Sequence, residues 1–272
     1  MFYSIHVIPK LNSENDSVVQ AVCHAIKSVA SECNVSVVDQ SHIQGSTLII
    51  AVGGDGTMLE AMRRAAQCDA TALGVNLGRV GFLSDLNVKD PRYGTLEDVL
   101  KGLLVGTRPY KIESRTVLVT NIDDAAIACN EVSIAPVTSD TMLTYHLKVG
   151  GISAGVHRAN GIMVATANGS TAYSLSVGGA LMMPGLDAMQ IAPIAPITMT
   201  SRPLIVPGDT TVTIEPSCRG NIAIRTDGII VYPMAAPFII TVRRYLRPAR
   251  VLHLEEWNYF DALTSKLGWI KG

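Results

Sequence analysis

Five residues, Gly53-Gly54-Asp55-Gly56-Thr57, stand where the apolar segment Leu48–Val52 stops and a helical-period segment near Met58 begins. Glycines let a backbone take positive φ and approach a phosphate, and the free N–H groups at a helix start suit an anion. Such a turn reads either as a phosphate cradle or as a plain chain reversal. Asp55 weighs for the cradle. A carboxylate beside phosphates repels them unless it binds Mg²⁺ or accepts a proton, and phosphoryl transfer uses both. A free aspartate, with a pKa near ~3.9, is a weak base, but a loose phosphoryl-transfer transition state asks mainly for positioning and charge compensation.

Two further segments carry polar groups in suggestive places. Asn168-Gly169-Ser170-Thr171-Ala172-Tyr173-Ser174, followed by Gly178-Gly179, reads as a turn leading into a helix with hydroxyls at its start, suited to capping or to a ribose or phosphate. Tyr173 could stack on a base. Asn130-Glu131 ends the apolar run Ala125–Cys129 and could pin a purine edge or a ribose, although Asn and Glu on the solvent face of a strand would look the same. No G-x-x-x-x-G-K-[ST] loop occurs, and Leu59 takes the third glycine position of a dinucleotide fingerprint, which disfavours a simple dehydrogenase.

The elements that must position these residues fall into two sets. In the first hundred residues, strand-like runs (Tyr3–Ile8, Val35–Val38, Thr47–Val52, Ala72–Asn76) alternate with helical ones (Asp16–Ala30, Met58–Ala66, Leu96–Val105). Val18, Val22, Ala25, Ile26 and Val29 form the expected stripe of the first helix. This is the βαβ pattern of an α/β domain with a parallel sheet, expected over residues 1–108. From residue 109 to 272 short strands follow closely (Thr116–Thr120, Ala126–Ile134, Tyr145–Val149, Ile162–Thr166, Thr211–Ile214, Ile222–Arg225, Phe238–Val242), implying a β-rich domain. A C-terminal helix over Trp257–Leu267 is expected to dock back on one of the two.

Composition narrows the classes. Hydrophobic residues make up 48% of the 272 and charged residues 17%, as in a well-buried globular enzyme. Lys+Arg (22) and Asp+Glu (23) nearly cancel, so no overall field favours nucleic acid or an anionic membrane. The uncharged interval Ala159–Leu186 is interrupted by Asn160, Asn168, Ser170 and Thr171, which suits a cleft-lining segment rather than a membrane span. The five cysteines show no C-x-x-C pair and read as buried thiols of a reducing compartment. With no signal-peptide pattern at Met1–Lys10 the expected location is the cytoplasm, where the glycosylation-type matches at Asn34 and Asn168 mean nothing.

Taken together, Gly53–Thr57, Asn130-Glu131 and Gly169-Ser170-Thr171-Ala172-Tyr173-Ser174-Leu175-Ser176 resemble the three signature segments of the NAD kinases, in that family's order and approximate spacing. The resemblance extends over Gly74-Val75-Asn76 through Gly81-Phe82-Leu83, Pro193–Pro203 and Lys266-Leu267-Gly268-Trp269, so it spans nearly the whole chain. It implies transfer of a phosphoryl group from ATP or another donor, with Mg²⁺, to the adenosine 2′-hydroxyl of NAD. By the same resemblance Asp55 is the catalytic residue, with Gly53, Gly54, Gly56 and Thr57 shaping the phosphate site and Asn130 and Glu131 contacting the adenosine. Thr171, Ala172, Tyr173, Ser174 and Ser176 then line the NAD site, with Arg158 and Asn160 approaching from a loop, and no residue is assigned as a metal ligand. A homodimer or homotetramer is implied. This chain departs from the family's usual Asp at Asn160, Pro-Thr at Ala167-Asn168, His at Ile197 and Gln at Ile229. Two other readings stand beside it: a diacylglycerol or sphingoid lipid kinase, which shares the Gly-Gly-Asp-Gly-Thr segment, and a non-catalytic NAD-binding regulatory module.

Overall fold

The computed structural model describes residues 2–78, 81–84, 86–138 and 140–269, so residues 79 and 80 of the Gly74–Leu83 resemblance lie outside it. Two compact units emerge, one from residues 1–114 and 249–272 and the other from 115–248. The sequence places one break after residue 108 and leaves the tail with the second domain, whereas the units part six residues later and the last 24 residues belong to unit 1.

Unit 1 starts with β1 (Ser4–Pro9), α1 (Ser17–Glu32), β2 (Ser36–Val37), β3 (Thr47–Val52), α2 (Asp55–Cys68), β4 (Thr71–Asn76), β5 (Leu86–Asn87), α3 (Leu96–Val105) and β6 (Tyr110–Arg115), all expected from the sequence except β5 and β6. Pairing of β1 with β2 and β3, and of β4 with β3 and β5, is parallel throughout. Every residue of β3 and β4 is buried, the continuous apolar run of strands covered on both faces. Asp16 caps α1 by accepting the N–H groups of Val18 and Val19. The buried stripe is Val19, Cys23, Ile26, Val29 and Ala30, one position round from the expected one, and Val18 is exposed.

Unit 2 holds β7 (Leu118–Thr120), β8 (Glu131–Pro136), β9 (Leu143–Val149), β10 (Ile152–Thr166), the short helix α4 (Tyr173–Ser176), β11 (Ala188–Pro196), β12 (Leu204–Pro207), β13 (Val212–Ser217), β14 (Asn221–Thr226), β15 (Ile230–Ala235) and β16 (Ile240–Arg244). They form one sheet in the order β15-β14-β8-β10-β9-β13-β16-β7, with β11 and β12 branching from β10. The 15 residues of β10 change partner along their length: the first part pairs with β9, the last with β8 and β11, all antiparallel. Alternate residues, among them Val132, Ile134, Ile162, Val164, Ile222 and Ile224, point into one core.

The chain then returns to unit 1 as β17 (Ala249–Leu254) and α5 (Tyr259–Leu267). β17 enters the first sheet between β4 and β6, parallel to β4, and its Leu252 and Leu254 join the core of Ile5, Leu48, Leu73 and Leu103. The C-terminal helix docks on unit 1, where Asp261 meets Arg92 at 3.0 Å. All five cysteines are free, but only Cys23 and Cys129 are buried, and the other three are partly exposed rather than enclosed as their spacing implies.

Candidate active site

Unit 1 builds its site at the end of β3. The N–H of Gly53 pairs with the carbonyl of Val75 at 2.9 Å, and the N–H groups of Thr57 and Met58 turn back to the carbonyl of Gly54 at 3.0 and 3.1 Å, so α2 starts at Asp55 itself. No side chain caps this helix. Its unpaired N–H groups are thereby left for an anion. Positive φ, expected for these glycines, is absent from all three. What glycine supplies instead is proximity: a Cβ on Gly53 would fall 2.5 Å from Thr57 Oγ1, while Gly54 and Gly56 are exposed with nothing within 4 Å of a Cβ.

The Asp55 carboxylate is clasped from across the chain. Oδ2 accepts the N–H of Phe82 at 3.1 Å and Oδ1 that of Leu83 at 3.2 Å. A Cβ on Gly81 would sit 2.0 Å from Asp55 Oδ1, so the loop reaches the carboxylate only because residue 81 is glycine. One accepted bond per oxygen leaves lone pairs on both, on a side chain that is half-exposed. The carboxylate is therefore oriented and still able to act on something else.

Unit 2 gathers a second cluster around Asp227. This residue, at φ +50° in the turn between β14 and β15, takes the N–H groups of Asn130 (2.7 Å) and Glu131 (3.2 Å) on Oδ1 and that of Cys129 (3.0 Å) on Oδ2. Its own N–H goes to the Glu131 carbonyl at 2.9 Å. Glu131 begins β8 and is 6% exposed, not on a solvent face. Its Oε2 is buried without a hydrogen-bond partner, and burial, reinforced by the negative charge of Asp227, pushes the carboxyl up to about 7.

After β10 the segment Asn168–Thr171 forms a 3₁₀ turn, and α4 adds only four residues. The helix expected here is thus too short to present a helix terminus; the turn is held by side chains instead. The Thr166 hydroxyl donates to the Cys129 carbonyl at 2.6 Å and accepts the N–H of Gly169 at 3.0 Å. A Cβ on Gly169 would lie 2.2 Å from the Asn130 carbonyl oxygen, so the turn and Asn130 are in close contact. Asn168 Nδ2 donates to Asn130 Oδ1 at 2.8 Å.

The remaining sequence-derived residues of unit 2 are spread out. Thr171 and Ala172 are half-buried, Tyr173 and Ser176 are exposed, and Ser174 is fully buried, with its hydroxyl engaged by the Gln190 amide. Arg158 and Asn160 lie in strand β10 rather than in a loop, both exposed. Asp227 was missed in the sequence, although Asp227-Gly228 between apolar runs is the short signal of a tight hairpin. Gln190 carries no such local signal. Among the described residues no group of three or more His, Cys, Asp or Glu side chains converges as a metal cage.

Comparison with known proteins agrees over both units. Residues 4–104 match the family model of the ATP-NAD kinase N-terminal domain and residues 129–254 that of the ATP-NAD kinase C-terminal domain. The NAD kinases of Pectobacterium atrosepticum and Klebsiella pneumoniae are each 34% identical over 229 residues, 84% of this chain and 78% of the relative. Among solved structures, yeast NADH kinase complexed with NADH superposes with a TM-score of 0.78 at 21% identity, covering 100% of this chain and 89% of that one. An NAD kinase from Archaeoglobus fulgidus in complex with ATP gives 0.75 at 23% identity, covering 98% and 99%. At these identities the two structures establish the fold.

Proposed function

The chain belongs to the NAD kinase family and is a phosphotransferase with an alcohol acceptor, and from that premise we propose how its two units divide the reaction. ATP supplies the phosphoryl group, and the adenosine 2′-hydroxyl of NAD receives it. Asp55 of unit 1 orients the attacking 2′-oxygen and accepts its proton. The observation that carries this reading is the clasped carboxylate at an uncapped helix start: Phe82 and Leu83 fix its direction while lone pairs stay open on both oxygens. Gly54 and Gly56 offer the donor phosphates bare, exposed backbone where no Cβ keeps them away, and Gly53 lets Thr57 pack close beneath the turn so that all four residues shape the phosphate site.

In unit 2, Asn130 and Glu131 meet the adenosine of NAD, and Thr171, Ala172, Tyr173, Ser174 and Ser176, with Arg158 and Asn160, complete the NAD site. Asp227 supports this role by holding the backbone of Cys129, Asn130 and Glu131 in one arrangement. For Ser174, whose hydroxyl is occupied, the contribution is to brace the turn through Gln190.

Mg²⁺ fits the donor set, since this ion usually binds through one or two carboxylates plus substrate phosphates rather than an all-protein cage. Asp55, with an open lone pair on each oxygen, would hold it through one of them and leave the other to take the proton. When bound it neutralises charge on the transferring phosphoryl group.

A homodimer or homotetramer is part of the same reading, supported by exposed apolar side chains on the β9–β10 and β11–β12 segments, including Ile152, Val156, Met199 and Leu204. Sedimentation equilibrium that returned a monomer would remove it. The cytoplasm is the proposed location, supported by five free thiols. No helix among the described residues is long and apolar enough to cross a membrane. No specific observation favours the lipid-kinase or regulatory-module readings.

The test is to incubate the purified protein with NAD, ATP and Mg²⁺ and to detect NADP with an NADP-specific dehydrogenase. NADP formation is the expected result. NAD binding without NADP from any phosphate donor would contradict the reading.

A further inference from the structure

Arg115 is among the largest fully buried side chains of the molecule, at 1% exposure. Its Nη1 donates to Asn168 Oδ1 at 2.7 Å, and Asn168 Nδ2 donates in turn to Asn130 Oδ1 at 2.8 Å. The direction of this chain follows from chemistry alone. A guanidinium has donors and no acceptor, so Asn168 must turn its oxygen towards Arg115 and its amide N–H groups towards Asn130. Asn130 must then answer with its own oxygen, which leaves the Nδ2 donors of this half-buried residue for a different partner. An isolated asparagine could present either end; this one is committed.

We propose that Arg115, acting through Asn168, is a positioning residue that fixes Asn130 as a hydrogen-bond donor towards the nucleotide acceptor. The ligand group it recognises is an acceptor atom, such as a purine ring nitrogen or a ribose oxygen, and not an N–H. Asn168 thereby gains a purpose at a position where the chain departs from the family's usual threonine, because its amide spans the two partners with two separate atoms, whereas the shorter threonine would have to accept and donate through a single oxygen. Since the proposal rests on the reading that Asn130 contacts NAD, its test must separate the two.

Asn168→Asp keeps an acceptor for Arg115 but removes the donor to Asn130, so the Asn130 amide reverses and presents its oxygen to the ligand. Steady-state kinetics on the full chain compare this variant, Asn130→Ala and the double variant. The expected result is that Asn130→Ala and Asn168→Asp each raise the KM for NAD about tenfold, with kcat within about twofold and the KM for ATP unmoved. The double variant should be no worse than Asn130→Ala, since both act through one contact. A normal KM in Asn168→Asp beside a raised one in Asn130→Ala would overturn the relay and leave the contact standing. A normal KM in Asn130→Ala would overturn the contact and the relay with it, and multiplying effects would mean that Asn168 acts elsewhere. If Asn168→Asp proves unstable, Arg115→Lys tests the same link: the charge stays, the fixed fork is lost, and a several-fold rise in the KM for NAD with kcat unchanged is expected; an unchanged KM there also overturns the relay.

Discussion

The two units treat their carboxylates in opposite ways. In unit 1, Asp55 is half-exposed, holds one backbone N–H on each oxygen and is free to engage a ligand. In unit 2, Asp227 spends its oxygens on three backbone N–H groups, and the neighbouring Glu131 is buried with Oε2 unpartnered and its carboxyl raised to about 7. A carboxylate that is aimed and left open suits a reacting group. One that is consumed by backbone, or enclosed beside a like charge, suits the shaping of a binding surface. This contrast is in keeping with the proposed division, chemistry in unit 1 and acceptor recognition in unit 2.

The largest effect expected from this contrast is at Asp55. Replacing it with asparagine should lower kcat by about a thousandfold while the Kd for NAD stays within about twofold, because proton acceptance matters only in the transition state. Near-normal turnover would remove Asp55 from its role. Glu131 should show itself in stability instead. Its carboxyl is raised from an ordinary 4.5 to about 7, so the folded protein binds the proton more tightly than the unfolded chain. Its stabilising share is complete below about pH 4.5 and is lost as pH rises through about 7, up to about 3 kcal/mol. In denaturant melts across that window, Glu131→Gln should lack this decline; a slope identical to that of the unsubstituted protein would refute the buried, repelled carboxyl.

Smaller effects probe the supports. Gly81→Ala places a Cβ where Asp55 Oδ1 now stands, 2.0 Å away, so the clasp must open. A drop in kcat of about thirtyfold with an unaltered Kd for NAD is expected, the cost of a misaimed carboxylate. Full activity would show that the Phe82 and Leu83 bonds are dispensable. Asn160→Asp, on an exposed position of β10, should tighten NAD by only a few-fold, about the worth of one exposed polar contact regained; isothermal calorimetry giving an unchanged Kd would mean that this departure is neutral.

How far each unit was legible in sequence follows the same division. The first hundred residues of unit 1 were legible almost element by element, β5 aside, since their signals are local: apolar runs for β3 and β4, helical periods for α1 to α3, and the glycine turn between β3 and α2. The clasp on Asp55 was not, because it joins residues 27 and 28 positions apart through backbone N–H groups that no side-chain type encodes. The shift of the α1 stripe by one residue has a similar cause: Val18 and Val19 are alike in type, and only packing selects between them. In unit 2 strand content was legible but not its extent. Pro193 and Pro196 obscured β11, and the polar Arg158 and Asn160 obscured the first half of β10, which the pairing with β9 rescues. β17 was missed because its place in the first sheet depends on a partner, β4, far away in sequence. The polar cluster of unit 2 depends on such long-range joins throughout, Asp227 reaching Asn130 across 97 positions.

The division of labour is tested most directly by measuring kcat and the NAD dissociation constant together for Asp55→Asn and Asn130→Ala. The account predicts crossed losses: Asp55→Asn loses turnover and keeps NAD affinity, while Asn130→Ala loses about tenfold in affinity and keeps most of its turnover at saturating NAD. If Asp55→Asn lost NAD binding instead, or Asn130→Ala lost turnover at saturation, the assignment of chemistry to one unit and recognition to the other would be contradicted.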